Sequence, residues 1–362
     1  MKKNLLSILL LFFSIVLSAQ TKKVLLEEFT GANCGNCPLG AYYVDSMLAL
    51  YPNLVSVALH AYSVTDAMDF AEIDTLNNVY SQGAPLAAID RVCGGSSSSQ
   101  TAVFVNTWNA NIQQRLSVPA ALTISIVPSW NSSTRNITAQ VDVNILSNIP
   151  SGDYRLGLYV VEDSVTGAGA GYDQENFYDT DPNSPFFGMG NPIVGFVHKH
   201  VARALLPSSW GLQGLIPSTP LTGQNFNHTF NYTLPALYNE NRIHLVAFVY
   251  RFTSNHISDE VLNVSEEKLL QSPAAVLDEV SAVNEIEVYP NPFSQYVVLK
   301  FAHPIGDAAF ILYDVHGKKL KPIENISGSS MVFHLENSER GIYFYKIIDR
   351  EKRIYSGKLI AY

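Results

Sequence analysis

The spacing of apolar and polar positions changes twice along this chain. Val24-Leu25-Leu26 is a short apolar run of strand character, and from Ala41 to Tyr51 apolar residues recur at helical spacing. Pro52-Asn53 predicts a turn, and Leu54 to His60 reads as a strand buried on both faces. A second helix is expected over Asp69 to Ser81 from the stripe Phe70, Ile73, Leu76, Val79 and Tyr80. An apolar strand then follows Pro85, and Thr101 to Leu116 reads as a further helix through Val105, Trp108, Ile112 and Leu116, with no edge strand before it.

From Val118 onward the period shortens to two. Runs at Ala121–Val127, Ile137–Val143, Tyr154–Val161, Phe226–Tyr232 and Ile243–Tyr250 alternate or are β-rich, with turn signals between them, as in an antiparallel sandwich. The polar stretch Gly167 to Pro192 is too long for a hairpin and predicts a protruding loop with a contact surface. Val261 to Val264 closes this region, and short strands separated by tight turns return after residue 283.

Composition narrows the class. A chain of 362 residues with 47% hydrophobic and 15% charged residues is long enough for two or three cored domains. A net charge of -9 without a basic stripe argues against a nucleic-acid partner. Lys2 and Lys3 before the apolar run Leu5 to Leu17, then Ser18-Ala19, form the pattern of a signal peptide over 1–19, with the mature chain starting at Gln20. No cysteine stands at that junction to be lipidated, and no later segment suffices for a transmembrane helix.

The chemistry concentrates at Cys34-Gly35-Asn36-Cys37. A strand precedes it and a helix follows, so the pair sits where unpaired N–H groups and the helix dipole favour a thiolate. Two thiols so spaced can close into a disulfide and reopen by exchange. Cys93 is left over, either as a buried thiol or as the site of a mixed disulfide with a partner.

In this motif the chain resembles the thioredoxin superfamily. More narrowly, Leu26-Glu27-Glu28-Phe29-Thr30-Gly31 before Cys34-Gly35-Asn36-Cys37-Pro38 is similar to the outer membrane protein twenty-eight related family of Bacteroidetes, over a span reaching about Leu270. The resemblance implies an exposed attacking Cys34, a resolving Cys37, a cis peptide bond at Ala84–Pro85 facing the pair, and a carboxylate at Glu28 that assists proton transfer. Glu27 points to the opposite face of its strand, so one of the two glutamates is expected buried and the other wet. Asn33 departs from the tryptophan usual before the first cysteine, which removes an apolar contact surface.

Val288-Tyr289-Pro290-Asn291-Pro292-Phe293, Leu312 to Lys318, Gly341 to Tyr345 and Ser356 to Ile360, in that order, are similar to the type A C-terminal sorting domain of the type IX secretion system. That resemblance implies the secretion machinery as a partner of residues 283–362 and a destination at the outer membrane, the cell surface or outside the cell.

Other constellations carry less. His198 and His200 are expected to share one face of a strand, which suits packing better than a metal. Asp179-Thr180-Asp181 opens like a calcium loop but lacks the glycine and glutamate such a loop needs. No cofactor cradle, hydrolase elbow or four-thiolate zinc set is present. The expected organisation is multidomain: signal peptide 1–19, thioredoxin-like α/β domain 20–117, antiparallel β-sandwich 118–270, linker 271–282, and a small β-sandwich sorting domain 283–362. Two functions are compatible with it. One is thiol–disulfide exchange on protein substrates, which leaves enzyme status open; the other is a surface adhesin or binding protein whose Cys34–Cys37 bond is a staple.

Overall fold

The computed structural model describes residues 22–81, 83–93, 101–257, 259–270, 286–314, 319–334, 341–350 and 354–361. The expected signal peptide, the serine run after Cys93 and the expected linker lie outside the described residues. The chain forms two compact units, Met1–Gln271 and Ser272–Tyr362.

The first unit begins with β1 (Val24–Phe29), α1 (Cys37–Leu50), β2 (Leu54–Leu59), α2 (Ala71–Tyr80) and β3 (Leu86–Ile89). β4 (Val103–Phe104) and α3 (Trp108–Leu116) follow, so the single helix expected from Thr101 is corrected. Leu86 and Ala87 at the edge of β3 pair with Phe104 and Val103, and Trp108 Nε1 donates to Val103 O at 2.9 Å. The open edge of β3 recruits those residues, so a short edge strand is present after all.

The remaining strands are β5 (Leu122–Asn131), β6 (Asn136–Ile145), β7 (Asp153–Glu162), β8 (Val201–Leu206), β9 (Asn225–Thr233), β10 (Ile243–Phe252) and β11 (Val261–Lys268). They do not make a sheet pair of their own. One mixed eight-stranded sheet runs β11-β10-β7-β8-β2-β1-β3-β4, and a three-stranded sheet β5-β6-β9 packs on its β7 and β10 side. The sandwich exists, but one of its two layers is the sheet that also contains β1 to β4. The change of texture at Val118 therefore marks where α-helices stop among the described residues, while strands from both sides of it share one sheet. β2 joins β8 by a narrow parallel seam in which Ala58 pairs with Val201.

β1 is buried along its whole length because both faces of the sheet are covered. Leu25 and Phe29 pack with Ile73, Leu76 and Tyr80 of α2 and with Tyr159 and Phe248. Val24 and Leu26 pack with Val44 and Met47 of α1 and Trp108 and Ile112 of α3. Each such side chain stabilises the unit by roughly 1.5–3 kcal/mol relative to exposure. The sheet also coils back on itself, since buried Lys22 donates to Val261 O at 3.0 Å and Leu262 O at 2.8 Å of β11.

This double coverage corrects the expectation for the glutamates: Glu27 and Glu28 are both buried. Glu27 accepts from Arg91 at 2.6 and 2.8 Å and from the Tyr159 hydroxyl at 2.6 Å. The Arg91 guanidinium is itself fully buried, packed over the rings of Tyr80, Phe248 and Tyr250.

The second unit is an antiparallel sheet of β12 (Ile286–Tyr289), β13 (Tyr296–Tyr313), β14 (Lys319–His334), β15 (Gly341–Ile348) and β16 (Ile354–Ala361). Repeated register shifts between β13 and β14 bend the long strands around one core that includes Phe293, Phe310, Phe333 and Leu359.

Candidate functional site

The turn Gly31–Asn36 delivers the chain from β1 into α1. Cys34 N–H donates to Gly31 O at 3.2 Å and Cys37 N–H to Cys34 O at 3.0 Å, so the motif is wound as a tight turn before the helix starts. Pro38 falls in the first helical turn, where a missing N–H costs little. Cys34 and Cys37 form a disulfide with Cα atoms 5.3 Å apart.

Both sulfur residues are buried, with Cys34 only 4% exposed and Cys37 1%. That corrects the expectation of an exposed first cysteine, and the cover is the very segment expected to protrude. Residues 172–178 lie across the motif. Gln174 Nε2 reaches the carbonyl oxygens of Gly31 at 3.1 Å, Ala32 at 3.0 Å and Cys34 at 2.9 Å, sharing its two protons among them. Glu175 N–H donates to Ala32 O at 2.7 Å and Phe177 N–H to Gly35 O at 2.9 Å. A Cβ on Gly35 would stand 2.3 Å from the Phe177 ring, so only glycine admits this cover.

Beneath the pair, α1 and β1 meet at Gly40. A Cβ there would lie 2.4 Å from Glu28 Oε1 and 2.7 Å from Pro85 Cβ, so the glycine lets a carboxyl and a proline converge one turn below Cys37. The Ala84–Pro85 bond is cis, the conformation expected for it. Glu28 Oε1 has no hydrogen-bond partner. Burial, reinforced by the nearby Asp45 charge, raises the Glu28 pKa to about 8. Pro85 borders an open groove on the other side with Asn36, Leu39, Phe104 and Tyr178.

Glu28 and Cys37 both line a cavity of about 430 Å³ that the sequence did not announce. His60 and His198 line it too, their rings 4.9 Å apart. His60 Nδ1 meets Asp66 Oδ2 at 2.8 Å, and the same carboxylate accepts from Ala32 N–H at 2.6 Å, tying the cavity wall to the cysteine turn. His198 bonds Tyr172 O through Nε2 at 2.8 Å, and burial pushes its pKa down to about 4. His198 belongs to an isolated bridge with Val165 and His200 has φ 55°, so the strand expected to carry both is interrupted. His60, Asp66 and Gln174 are the site residues that sequence reasoning missed; His60 at the end of an apolar strand was a faint signal, and Gln174 had none.

The other candidates are used locally. Asp179 Oδ1 accepts from Gly190 N–H at 2.6 Å, closing a loop between residues eleven apart, and Asp181 Oδ1 accepts from Asn183 N–H at 3.0 Å within a turn. Cys93 is half-buried, its thiol 3.0 Å from Ile257 O. Among the described residues no cluster of three His, Cys, Asp or Glu forms a metal set, and no helix is long and apolar enough to cross a membrane.

A family model described as outer membrane protein Omp28 matches residues 73–272, more than half of the chain. A second, described as a secretion system C-terminal sorting domain, matches residues 287–361. Pro85, Gln174 and His198 fall inside the first match, whereas Glu28, Cys34 and Cys37 precede it. No curated protein matches the sequence. Among solved structures, HBP35 of Porphyromonas gingivalis is similar at 15% identity, over 94% of this chain and 98% of that one, with a TM-score of 0.54. At that identity the likeness is one of fold. A domain of the outer membrane lipoprotein Omp28 from the same organism matches at 19% identity over 42% of this chain and 91% of its own, TM-score 0.25. Protein AGR_C_4864 from Agrobacterium tumefaciens matches at 10% identity over 70% of this chain and 97% of its own, TM-score 0.44.

Proposed function

The chain belongs to the outer membrane protein Omp28 family and ends in a type IX sorting domain, which sends it to the outer membrane or cell surface, and from that premise we propose that it is a thiol–disulfide exchange protein with Cys34–Cys37 as its reactive pair. The observation that carries the proposal is Glu28. A buried carboxyl with an unpartnered oxygen destabilises a fold, and here it lines the same cavity as Cys37. The order β1-α1-β2-α2-β3, the pair at the start of α1 and the cis Pro85 support the same reading through the thioredoxin-like arrangement.

In this reading a substrate thiolate attacks Cys34 Sγ, the Cys34–Cys37 bond breaks, and Cys37 leaves as a thiolate that takes the proton of Glu28. A second substrate thiolate then attacks the substrate sulfur of the mixed disulfide and releases Cys34 as a thiolate. The substrate dithiol loses two electrons and becomes a disulfide, while the protein pair is reduced. The 172–178 segment must swing away first, because Cys34 is covered in the closed form.

That same burial favours a second reading, in which the bond is a permanent staple of a surface binding protein. Equilibration of the full chain in glutathione or dithiothreitol buffers, together with a model-disulfide turnover assay, separates the two. Exchange predicts turnover and, because the reaction is reversible, capture of disulfide-bearing partners by Cys37→Ser, whose Cys34 thiolate attacks them and has no Cys37 to release it. A potential below about -300 mV with no turnover establishes the staple.

A further inference from the structure

The cavity of about 430 Å³ beside Cys37 has features that disulfide exchange does not use. Its volume falls within the roughly 300–1,000 Å³ common for small-molecule sites. Val44, Ala58 and Ile193 give it buried apolar walls, and Met189, Val194 and Val197 form an exposed apolar rim.

The acidic and basic groups on the lining are neutral or already paired. Lys199 is bonded to Asp45 at 2.6 Å, His60 to Asp66 at 2.8 Å, and His200 lies 3.3 Å from Asp163. His198 stays neutral at physiological pH, and so for the most part does Glu28. A charged ligand would find no free counter-charge, whereas an uncharged one buries apolar surface against apolar walls. Glu28 is 3% exposed and leaves one oxygen without a partner, a polar group at the floor that no hydrogen bond of the fold satisfies.

We propose that this cavity binds an uncharged, mainly apolar small molecule, seated against Glu28 on the inner side of the Cys34–Cys37 pair. The site does not depend on exchange chemistry. An apolar occupant displaces water beside Glu28 and so favours its neutral carboxyl, which couples occupancy to pH. Tyr42 and Asp45 on α1, His60 after β2, and His198, Lys199 and His200 before β8 are the other titratable groups around the cavity, and all remain in a Glu28→Gln variant.

The test uses the oxidised full chain and the neutral fluorophore N-phenyl-1-naphthylamine. A saturable, one-to-one fluorescence rise is expected. Ile193→Trp and Val44→Phe, each filling the cavity from a different element, should weaken binding about tenfold or more while unfolding curves stay cooperative. Phe104→Ser, in the groove beside Pro85, should leave it unchanged. Wild-type affinity should fall about tenfold from pH 7 to pH 9, because only the neutral Glu28 form binds well, and Glu28→Gln should show no such fall. Equal binding by wild type and both filling variants overturns the proposal. So does equally tight binding of the anionic analogue 1-anilinonaphthalene-8-sulfonate. Binding without disulfide turnover leaves this site standing and removes only the exchange function; turnover without binding does the reverse.

Discussion

Replacing Glu28 by glutamine separates a carboxyl kept for chemistry from one kept for structure. The side chain is buried, and its pKa rises from an ordinary 4.5 to about 8. Below the ordinary value the carboxyl is protonated in folded and unfolded chains alike, so its titration does not affect stability. Between those two values the unfolded chain releases the proton and the folded chain keeps it, so stability falls as pH rises. The loss reaches about 3 kcal/mol at pH 7 and levels off near 5 kcal/mol above the folded value, at 1.36 kcal/mol per unit. Glutamine has a similar shape and never ionises.

The variant should therefore match wild type at about pH 4 and exceed it in stability by several kcal/mol at about pH 9. Urea unfolding followed by tryptophan fluorescence across that range gives the difference directly, and titrations of all other groups cancel between the two proteins. A buried carboxyl retained at such a cost, and lost together with turnover in the variant, is the signature of a functional group. Parallel pH profiles, or a variant less stable than wild type at high pH, would refute the assignment of Glu28 as a strained proton carrier.

Further outcomes follow from the contacts around the pair. Gln174→Ala removes the amide that bonds three carbonyls of the cysteine turn, and reduction of Cys34–Cys37 by dithiothreitol should accelerate about tenfold to a hundredfold, read by thiol labelling. Gly40→Ala forces a methyl against Glu28 and Pro85 and should lower stability by about 1–3 kcal/mol despite the better helix propensity of alanine, as thermal unfolding would show. Arg91→Met strips buried Glu27 of its ion-pair partner, at a cost of about 3–5 kcal/mol, and adding Glu27→Leu should restore most of it in urea unfolding. His198, held at about 4 rather than 6.5, stays neutral while an unfolded histidine takes up a proton. Its contribution is present above pH 6.5 and lost as pH falls toward 4, so His198→Phe should flatten acid sensitivity in that window by about 3 kcal/mol.

Much of the first unit was legible because its signals are local. The strand at Val24, the helix after Cys37, the strand at Leu54 and the stripe of α2 each show in a window of ten or so residues. The cysteine pair at the start of α1 was also readable from its motif, and the resemblance it carries led to the burial of Glu28 and the cis bond before Pro85. The cover was not. Gln174 lies 140 residues from Cys34, and nothing in a polar loop reveals which carbonyls its amide will meet. The burial of Glu27 was hidden for a related reason. A glutamate on an outward strand position reads as wet until a coiled sheet brings β7 and β10 over it and Arg91 closes the pair. Periodicity reports which face of an element is apolar, and not how far the sheet that contains it will curl.

Burial of the sulfurs is compatible with exchange only if opening is affordable, and the contacts bound that quantity. Gln174, Glu175 and Phe177 hold the cover through a handful of hydrogen bonds to the cysteine turn, each stabilising it by about 0.5–1.5 kcal/mol. Opening therefore costs on the order of 2–5 kcal/mol, which populates the open form at between a few per cent and roughly one part in several thousand. Disulfide exchange with a free thiol would be slowed by that factor but not abolished, and a partner that displaces residues 172–178 would remove the delay. A staple has no use for so light a latch: one held by the core would show reduction only at the rate of global unfolding. The ratio of those two rates in wild type, measured against the stability of the whole unit, decides whether residues 172–178 act as a gate over a reactive pair or as an incidental part of a sealed wall.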